Sequence, residues 1–178
     1  MTCVKDLAAT PEQDRSDRLP EKNVFRRILV PVDGSEASLA GVGHAIELAK
    51  DSGGRLKLIH VIGEASSIYA QAHGWDVARV LGTLKAAAAD LLAGPLQRAK
   101  AAAVDAESAV IDDPDHQVWN AIVTEARNWK ADLIVIGTHG RRGIRRLVMG
   151  SDAESVIRSS PVPVLTVRAQ AEEPAPNS

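Results

Sequence analysis

The chain has 178 residues, 45% of them hydrophobic and only 3% aromatic, and its formal net charge is −2 at pH 7. One domain with an aliphatic core is expected at this length, and the slightly acidic charge argues against a general nucleic-acid binder, which carries a strong basic excess. The only cysteine is Cys3, so no disulfide framework, cysteine zinc site or catalytic cysteine is indicated.

The two ends of the chain differ from its middle. Residues 1–24 combine mixed charge with two prolines, and residues 169–178 contain two glutamates and two prolines. This predicts a flexible N-terminal arm and a flexible C-terminal tail around a domain at 25–168. The arm lacks the apolar core of a signal peptide, and no apolar run approaches the roughly 18 residues of a membrane span. We therefore expect a cytoplasmic protein without membrane contact.

Between these ends, segments typical of strands alternate with segments typical of helices. Strands are predicted at residues 26–32, 56–62, 106–111, 131–136 and 162–167, and helices at 35–51, 77–103, 113–130 and 152–158. Gly94 and Pro95 predict a kink or break in the second helix, and Asp113 is expected to cap the third.

This alternation predicts a single α/β domain, in which a doubly wound parallel sheet of five strands is covered by helices on both faces. Ligands of such sheets bind at the carboxyl ends of the strands, near the point where the strand order reverses. Asp33 and Gly137 each lie just past a predicted strand, so both are candidates for such a site.

A glycine-rich segment links the fourth strand to the last helix. Its spacing is Gly137-x2-Gly140-x9-Gly150-Ser151, and it carries four arginines, at positions 141, 142, 145 and 146. Glycines let the backbone approach an anion, and N–H groups at a helix start point towards it, so the segment predicts a phosphate site. It has neither the Gly-Lys pair of a Walker A loop nor the G-x-G-x-x-G spacing of a dinucleotide fold.

Three segments in the same order resemble the universal stress protein family. They are the glycine-rich segment, the opening Arg27-Ile-Leu-Val-Pro-Val-Asp-Gly-Ser35 and the closing Ser160-Pro-Val-Pro-Val-Leu-Thr-Val-Arg168. The resemblance extends over residues 25–168 and implies a strand order of 3-2-1-4-5, with ATP held between the ends of strands 1 and 4. It also implies a homodimer, for which the apolar edge strand at 162–167 offers a pairing surface.

The resemblance divides the expected site into an adenine side and a phosphate side. The adenine side comprises Pro31, Val32, Asp33 and Val61. The phosphate side comprises Gly137, His139, Gly140, Arg141, Arg142, Gly143, Gly150, Ser151, Asp152 and Ala153.

Simpler roles stay open for some of these residues. Asp33 could cap the helix that starts near Ser35, and Val61 could belong to the core alone. Which of Arg141 and Arg142 turns towards a phosphate is open. A contact from His139 would be through its backbone and would not need an imidazole.

Asp152 and Ala103 are among the positions that depart from the family pattern, as are Asp112 and Asp113, where a glycine often opens the third helix. Asp152 stands where many members have an apolar residue, and a carboxylate beside phosphate repels it unless it turns away or shares a metal ion. Alternatively, Asp152 favours the positive start of the helix. Ala103 replaces a glycine often seen after the second helix, which predicts a weaker end for that helix.

The residue types favour binding over catalysis. No general base, nucleophile or pair of metal-binding carboxylates is evident around the glycine-rich segment, and the five histidines show no spacing of metal ligands. We therefore expect a stress-response regulatory protein that binds adenine nucleotide, either ATP or else AMP or ADP, with Mg²⁺ as an optional companion, and that has at most weak ATPase activity.

Two other hypotheses stay open. The first is a magnesium-dependent ATP hydrolase or phosphotransferase, in which Asp33 or Asp152 would hold the magnesium ion. The second is a dimeric interaction module whose nucleotide site has degenerated. The intact glycines argue against the module, and Asp152 argues for it.

Overall fold

The computed structural model describes residues 25–63, 77–113, 117–138 and 150–169. These parts of the chain contain five strands and four helices. In chain order they are β1 (Arg27–Pro31), α1 (Glu36–Ser52), β2 (Arg55–Ile62), α2 (Val77–Ala101), β3 (Asp105–Asp112), α3 (Val118–Asn128), β4 (Leu133–Gly137), α4 (Ser151–Ser159) and β5 (Val164–Val167).

The five strands form one parallel sheet in the order β3-β2-β1-β4-β5, which confirms the predicted fold class and strand order. The central strand β1 pairs with β2, where Pro31 lies opposite Ile59, and with β4, where Leu29 lies opposite Ile134. The strand order reverses between β1 and β4, so their carboxyl ends lie side by side at the place where doubly wound sheets bind ligands.

Alternate residues of the strands build a hydrophobic core on each face of the sheet. Val30 packs in one core with Val42 of α1 and Leu92 of α2, while its neighbour Leu29 packs in the other with Ile122 of α3 and residues of α4. Successive strand side chains point to opposite faces. The continuous apolar runs in the sequence therefore reflect strands that are covered on both sides.

The second helix does not break at Gly94 and Pro95. Helix α2 runs without interruption from Val77 to Ala101 with Pro95 inside it. Proline removes one backbone donor from a helix, but Leu92 and Ala99 on either side of it are fully buried against the sheet. Tertiary packing on both sides of the proline therefore keeps the helix continuous.

The third helix starts later than predicted, and Asp113 does not cap it. Helix α3 begins at Val118, after Gln117, whose side chain makes no capping bond. Asp113 is buried, and its N–H donates to the carbonyl of Ile62 at 3.4 Å. It therefore closes the end of the β2–β3 pair, and residues 114–116 lie outside the described residues.

Three helices end in the same left-handed turn. Gly53 after α1, Ala103 after α2 and Lys130 after α3 have φ values of 60°, 59° and 54°. In each case the N–H of this residue and the N–H of the next one donate back to carbonyls of the helix. Glycine adopts this conformation without strain, whereas alanine and lysine do not.

Candidate functional site

The turn after β1 is ordered by a closed set of hydrogen bonds around Asp33. Its Oδ1 accepts the N–H of Ser35 at 2.9 Å and the hydroxyl of Ser35 at 2.6 Å. The Ser35 oxygen in turn accepts the N–H of Ser38 at 3.3 Å, which makes Ser35 the N-cap of α1. Asp33 is therefore not the cap itself. Asp33 instead fixes Ser35, which is the cap. Gly34 allows the turn between them because it adopts φ 85°.

Gly137, at the end of β4, is pressed against the start of α1. A Cβ atom on Gly137 would lie 2.7 Å from the backbone nitrogen of Ser38 and 2.8 Å from the carbonyl carbon of Ala37. Because these atoms belong to the backbone, they cannot give way as a flexible side chain would. Close strand–helix packing is thus a sufficient reason for glycine here, independent of any phosphate.

The ends of the glycine-rich segment are held together by main-chain bonds. The N–H of Thr138 donates to the carbonyl of Val167 at 2.8 Å, and the carbonyl of Thr138 accepts the N–H of Gly150 at 2.9 Å. Thr138 itself is buried. The start of α4 is thereby fixed beside the end of β4. The predicted site residues His139, Gly140, Arg141, Arg142 and Gly143 lie outside the described residues.

The first turn of α4 leaves main-chain donors at this edge of the sheet. Gly150 has extended backbone angles and its N–H is already bound to Thr138, so it is not a spare donor for an anion. The N–H groups of Ser151, Asp152 and Ala153 begin the helix and have no acceptor within it. The methyl group of Ala153 is buried in the core, so only its main chain is available to a ligand.

Asp152 carries the unusual electrostatics of this edge. Its side chain remains exposed at the surface, yet partial burial raises the pKa of its carboxyl group above the ordinary value because water around the charge is displaced. The charged form of Asp152 is therefore less favourable than that of a fully solvated aspartate.

Val61 lies one strand away from Asp33. It is half-buried and packs against the core that α3 covers, opposite Ile111 of β3. Just after β2, the chain also packs closely against α3, because a Cβ on Gly63 would lie 2.8 Å from the Cγ2 atom of Val118. The core role of Val61 is therefore present in the structure, and a contact with adenine stays a prediction.

Sequence reasoning missed three residues that shape the site: Ser38, Thr138 and His60. Ser38 is buried, and its hydroxyl donates to the carbonyl of Ser35 at 2.9 Å and accepts the N–H of Asp33 at 3.4 Å. The Nδ1 atom of His60 lies 2.6 Å from the carbonyl oxygen of Val32. Of the three, only Ser38 has a local signal, because a serine near a helix start favours hydrogen bonds to nearby main chain.

The described residues contain no group of three or more His, Cys, Asp or Glu side chains placed to hold a metal ion. Among the same residues, no helix is both long and apolar enough to span a membrane.

The comparisons with known proteins agree with this architecture. The sequence model of the universal stress protein family matches residues 25–168. A universal stress protein of Methanocaldococcus jannaschii is 33% identical over 148 residues, which is 83% of this chain and 84% of the relative.

Solved structures show the same fold. A universal stress protein in complex with cAMP is 28% identical with a TM-score of 0.58, and covers 83% of this chain and 99% of its own. The universal stress protein UspA from Lactobacillus plantarum superposes with a TM-score of 0.66 at 23% identity, over 81% of this chain and 98% of its own. The family match spans all nine helices and strands that the structure describes, and this chain therefore belongs to the universal stress protein family.

Proposed function

We propose that this protein binds adenine nucleotide across the carboxyl ends of β1 and β4, with the adenosine beside Asp33 and the phosphates at the start of α4. The observation that carries the proposal is the pair of bonds from Thr138 to Val167 and Gly150. These bonds hold the start of α4 next to the end of β4. The N–H groups of Ser151, Asp152 and Ala153 there have no acceptor within the helix, and such a helix start attracts phosphate.

The adenine side is supported by the fixed turn at Asp33. Continuing the register of β1 with β4 places Val32 and Asp33 level with Gly137 and Thr138. The related universal stress protein solved with cAMP, at 28% identity, supports an adenine nucleotide as the ligand class. ATP is our proposed ligand, with AMP or ADP as alternatives and Mg²⁺ as an optional companion of the phosphates.

Binding without rapid hydrolysis fits the chemistry of the described residues. Oδ1 of Asp33 already accepts two bonds from Ser35, so it is occupied in holding the turn and is poorly suited to be a general base. We therefore propose a regulatory role in stress, in which nucleotide binding alters shape or partner choice in the cytoplasm. The domain would span residues 25–168.

The test is titration calorimetry of the full chain with ATP, ADP and AMP, with and without Mg²⁺, together with mass analysis of nucleotide released from freshly purified protein. Binding of at least one adenine nucleotide, with phosphate release far below ordinary enzyme rates, is expected. No heat of binding with any of them would end the proposal. Steady turnover that is lost in Asp33→Ala would instead favour the hydrolase.

We also propose a homodimer through β5. This strand is a sheet edge, and Leu165 within it stays 38% exposed, as do Leu39 of α1 and Ile157 of α4 at 39% and 43%. Pro163 lies within the predicted 162–167 edge and has no N–H to donate, so it limits where main-chain bonds to a second copy can form.

A further inference from the structure

His60 ties the end of β1 to β2 through its side chain. The residue is half-buried on β2, and its ring atom Nδ1 lies 2.6 Å from the carbonyl oxygen of Val32. A carbonyl oxygen can only accept, so Nδ1 carries the hydrogen and donates it. The imidazole therefore makes a directed bond to the main chain of the neighbouring strand.

This bond holds the chain just before the turn at Asp33. The regular pairing of β1 with β2 ends at Pro31, opposite Ile59. Beyond it, the N–H of Val32 donates to the carbonyl of Ile59 at 2.8 Å, and the carbonyl of Val32 accepts the bond from His60. Both main-chain groups of Val32 are thus held by β2, although Val32 lies outside the strand.

The position of Asp33 depends on this hold. The N–H of Asp33 belongs to the same planar peptide group as the Val32 carbonyl. The carboxylate of Asp33 fixes Ser35, the N-cap of α1. A rotation of the Val32–Asp33 peptide would move the carboxylate, the turn and the start of α1 together. His60 is the side chain on the neighbouring strand that opposes this rotation.

We propose that His60 is a positioning residue for the adenosine half of the nucleotide site, acting through the carbonyl of Val32 and the turn at Asp33. The inference rests on the proposed function, since it concerns the same site. Recognition of the base and ribose then depends on the His60 side chain, which binds the main-chain carbonyl of Val32 and does not need to touch the ligand.

The experiment compares two substitutions at this position in the full chain. His60→Phe keeps a ring of similar size and removes the donor. His60→Asn is shorter, but it places an amide N–H close to where Nδ1 stands. His44, which is exposed on α1, gives the matched control His44→Phe. Affinities for AMP, ADP and ATP are measured by calorimetry, and urea unfolding verifies that each variant is folded under those conditions.

Loss of one hydrogen bond that orders a binding turn predicts about a fivefold weaker affinity for His60→Phe. The factor should be the same for all three nucleotides, because they share the adenosine half. His60→Asn should stay within about twofold of the wild type, as should His44→Phe. If His60→Phe does not fold, His60→Leu takes its place as the variant without a donor.

Three results would overturn the role of His60 while leaving nucleotide binding intact. They are unchanged affinity in the variant without a donor, an equal loss in His60→Asn, and a loss that grows with the number of phosphates. Wild-type protein that binds none of the three nucleotides would overturn both this inference and the proposed function. The two failures are therefore distinguished by the wild-type titration alone.

Discussion

Gly137 and Gly150, at the two ends of the glycine-rich segment, differ in whether the structure requires glycine at their positions. Gly137 has backbone atoms of Ala37 and Ser38 within 2.8 Å of where a Cβ would lie, whereas a Cβ on Gly150 would meet the Thr138 carbonyl oxygen at 3.5 Å, an ordinary contact. Gly150 also has φ −61°, which any residue adopts. The first glycine is thus required by packing, and the second is not required by packing or backbone angles.

Gly137→Ala should therefore destabilise the protein by about 1–3 kcal/mol, because β4 and α1 must move apart to admit the methyl group. Urea unfolding followed by circular dichroism measures the change. Gly150→Ala is the matched control and should cost less than about 1 kcal/mol, because Gly150 is the N-cap of α4, where alanine is less favourable than glycine, but no backbone atom would clash with the added Cβ. Equal effects of the two substitutions would contradict the packing role of Gly137.

Asp152 is the residue whose charge should weaken nucleotide binding. If phosphates bind at the start of α4, Asp152→Asn should raise the affinity for ATP at pH 7 by about threefold, since one like charge near the phosphates is removed. Glu154→Gln is the control, because Glu154 lies in the same first turn but pairs with Arg158 at 2.7 Å. Calorimetry on both variants gives the comparison.

The raised pKa of Asp152 makes the same effect depend on pH. As pH falls from 7 towards 5, the wild-type carboxylate becomes protonated sooner than an ordinary aspartate does. The advantage of Asp152→Asn over the wild type should therefore shrink. The same shift affects the free energy of unfolding. Protonated Asp152 favours the folded state, and this stabilisation is lost as pH rises through its folded-state pKa. A ratio of affinities that stays constant with pH would argue against Asp152 facing the phosphates.

At the level of the helices and strands, two of the left-handed helix ends carry an unsuitable residue. Ala103 and Lys130 complete the turns after α2 and α3 with φ values of 59° and 54°. Each makes the same backward bonds as Gly53 does after α1. The hydrogen bonding of the turn is therefore retained, and the strain of a side chain in this conformation remains.

Ala103→Gly and Lys130→Gly should each stabilise the protein by about 0.5–1 kcal/mol, because glycine adopts positive φ without the clash of a Cβ atom. Thermal or urea unfolding measures both. Ala89→Gly, at an exposed position inside α2, is the opposite control and should cost about 1 kcal/mol. A loss of stability in Ala103→Gly would show that the turn after α2 is not strained.

The amino ends of β1 and β2 are built differently from the ends that form the site. Arg27 and Arg55 are direct partners across the two strands, an arrangement that repulsion between like charges disfavours. Both guanidinium groups lie over the ring of Trp129, at 4.6 Å and 5.4 Å from its centre, and Arg27 also donates to the Trp129 carbonyl. Cation–π contact at the end of α3 offsets the repulsion.

For the whole molecule, the two edges of the sheet have opposite character. The edge strand β3 exposes the charged residues Asp105, Glu107 and Asp112, which discourage pairing with another strand. The edge strand β5 exposes Leu165 and carries no charged residue. A second copy of the chain is therefore expected at β5 and not at β3.

Leu165→Lys should convert a dimer into a monomer, because it places a charge in the centre of the proposed interface. Ser108→Lys, at an exposed position on β3, is the matched control and should remain dimeric. Sedimentation at micromolar concentration distinguishes the two masses. A wild-type monomer, or an unchanged dimer in Leu165→Lys, would place the interface elsewhere or remove it.

The fold could be predicted from the sequence because its signals are local. Apolar runs such as 133–136, turns marked by Gly53 and Gly54, and the alternation of strand and helix patterns each depend on neighbours along the chain. Helix limits were less accurate. The chain around Pro95 and Asp113 is arranged by burial against the sheet, and no local pattern contains that information.

Patterns along the chain were enough to predict a five-stranded doubly wound domain of a recognisable family, with Asp33 and the glycine-rich segment past two strand ends. How those segments contact one another is visible only in the folded chain. There, Gly137 lies against Ser38, Thr138 bonds to Val167, and His60 bonds to the carbonyl of Val32. These contacts join residues from 28 to about 100 positions apart in the chain. They arise from the order of strands in the sheet, so patterns read along the chain do not reveal them.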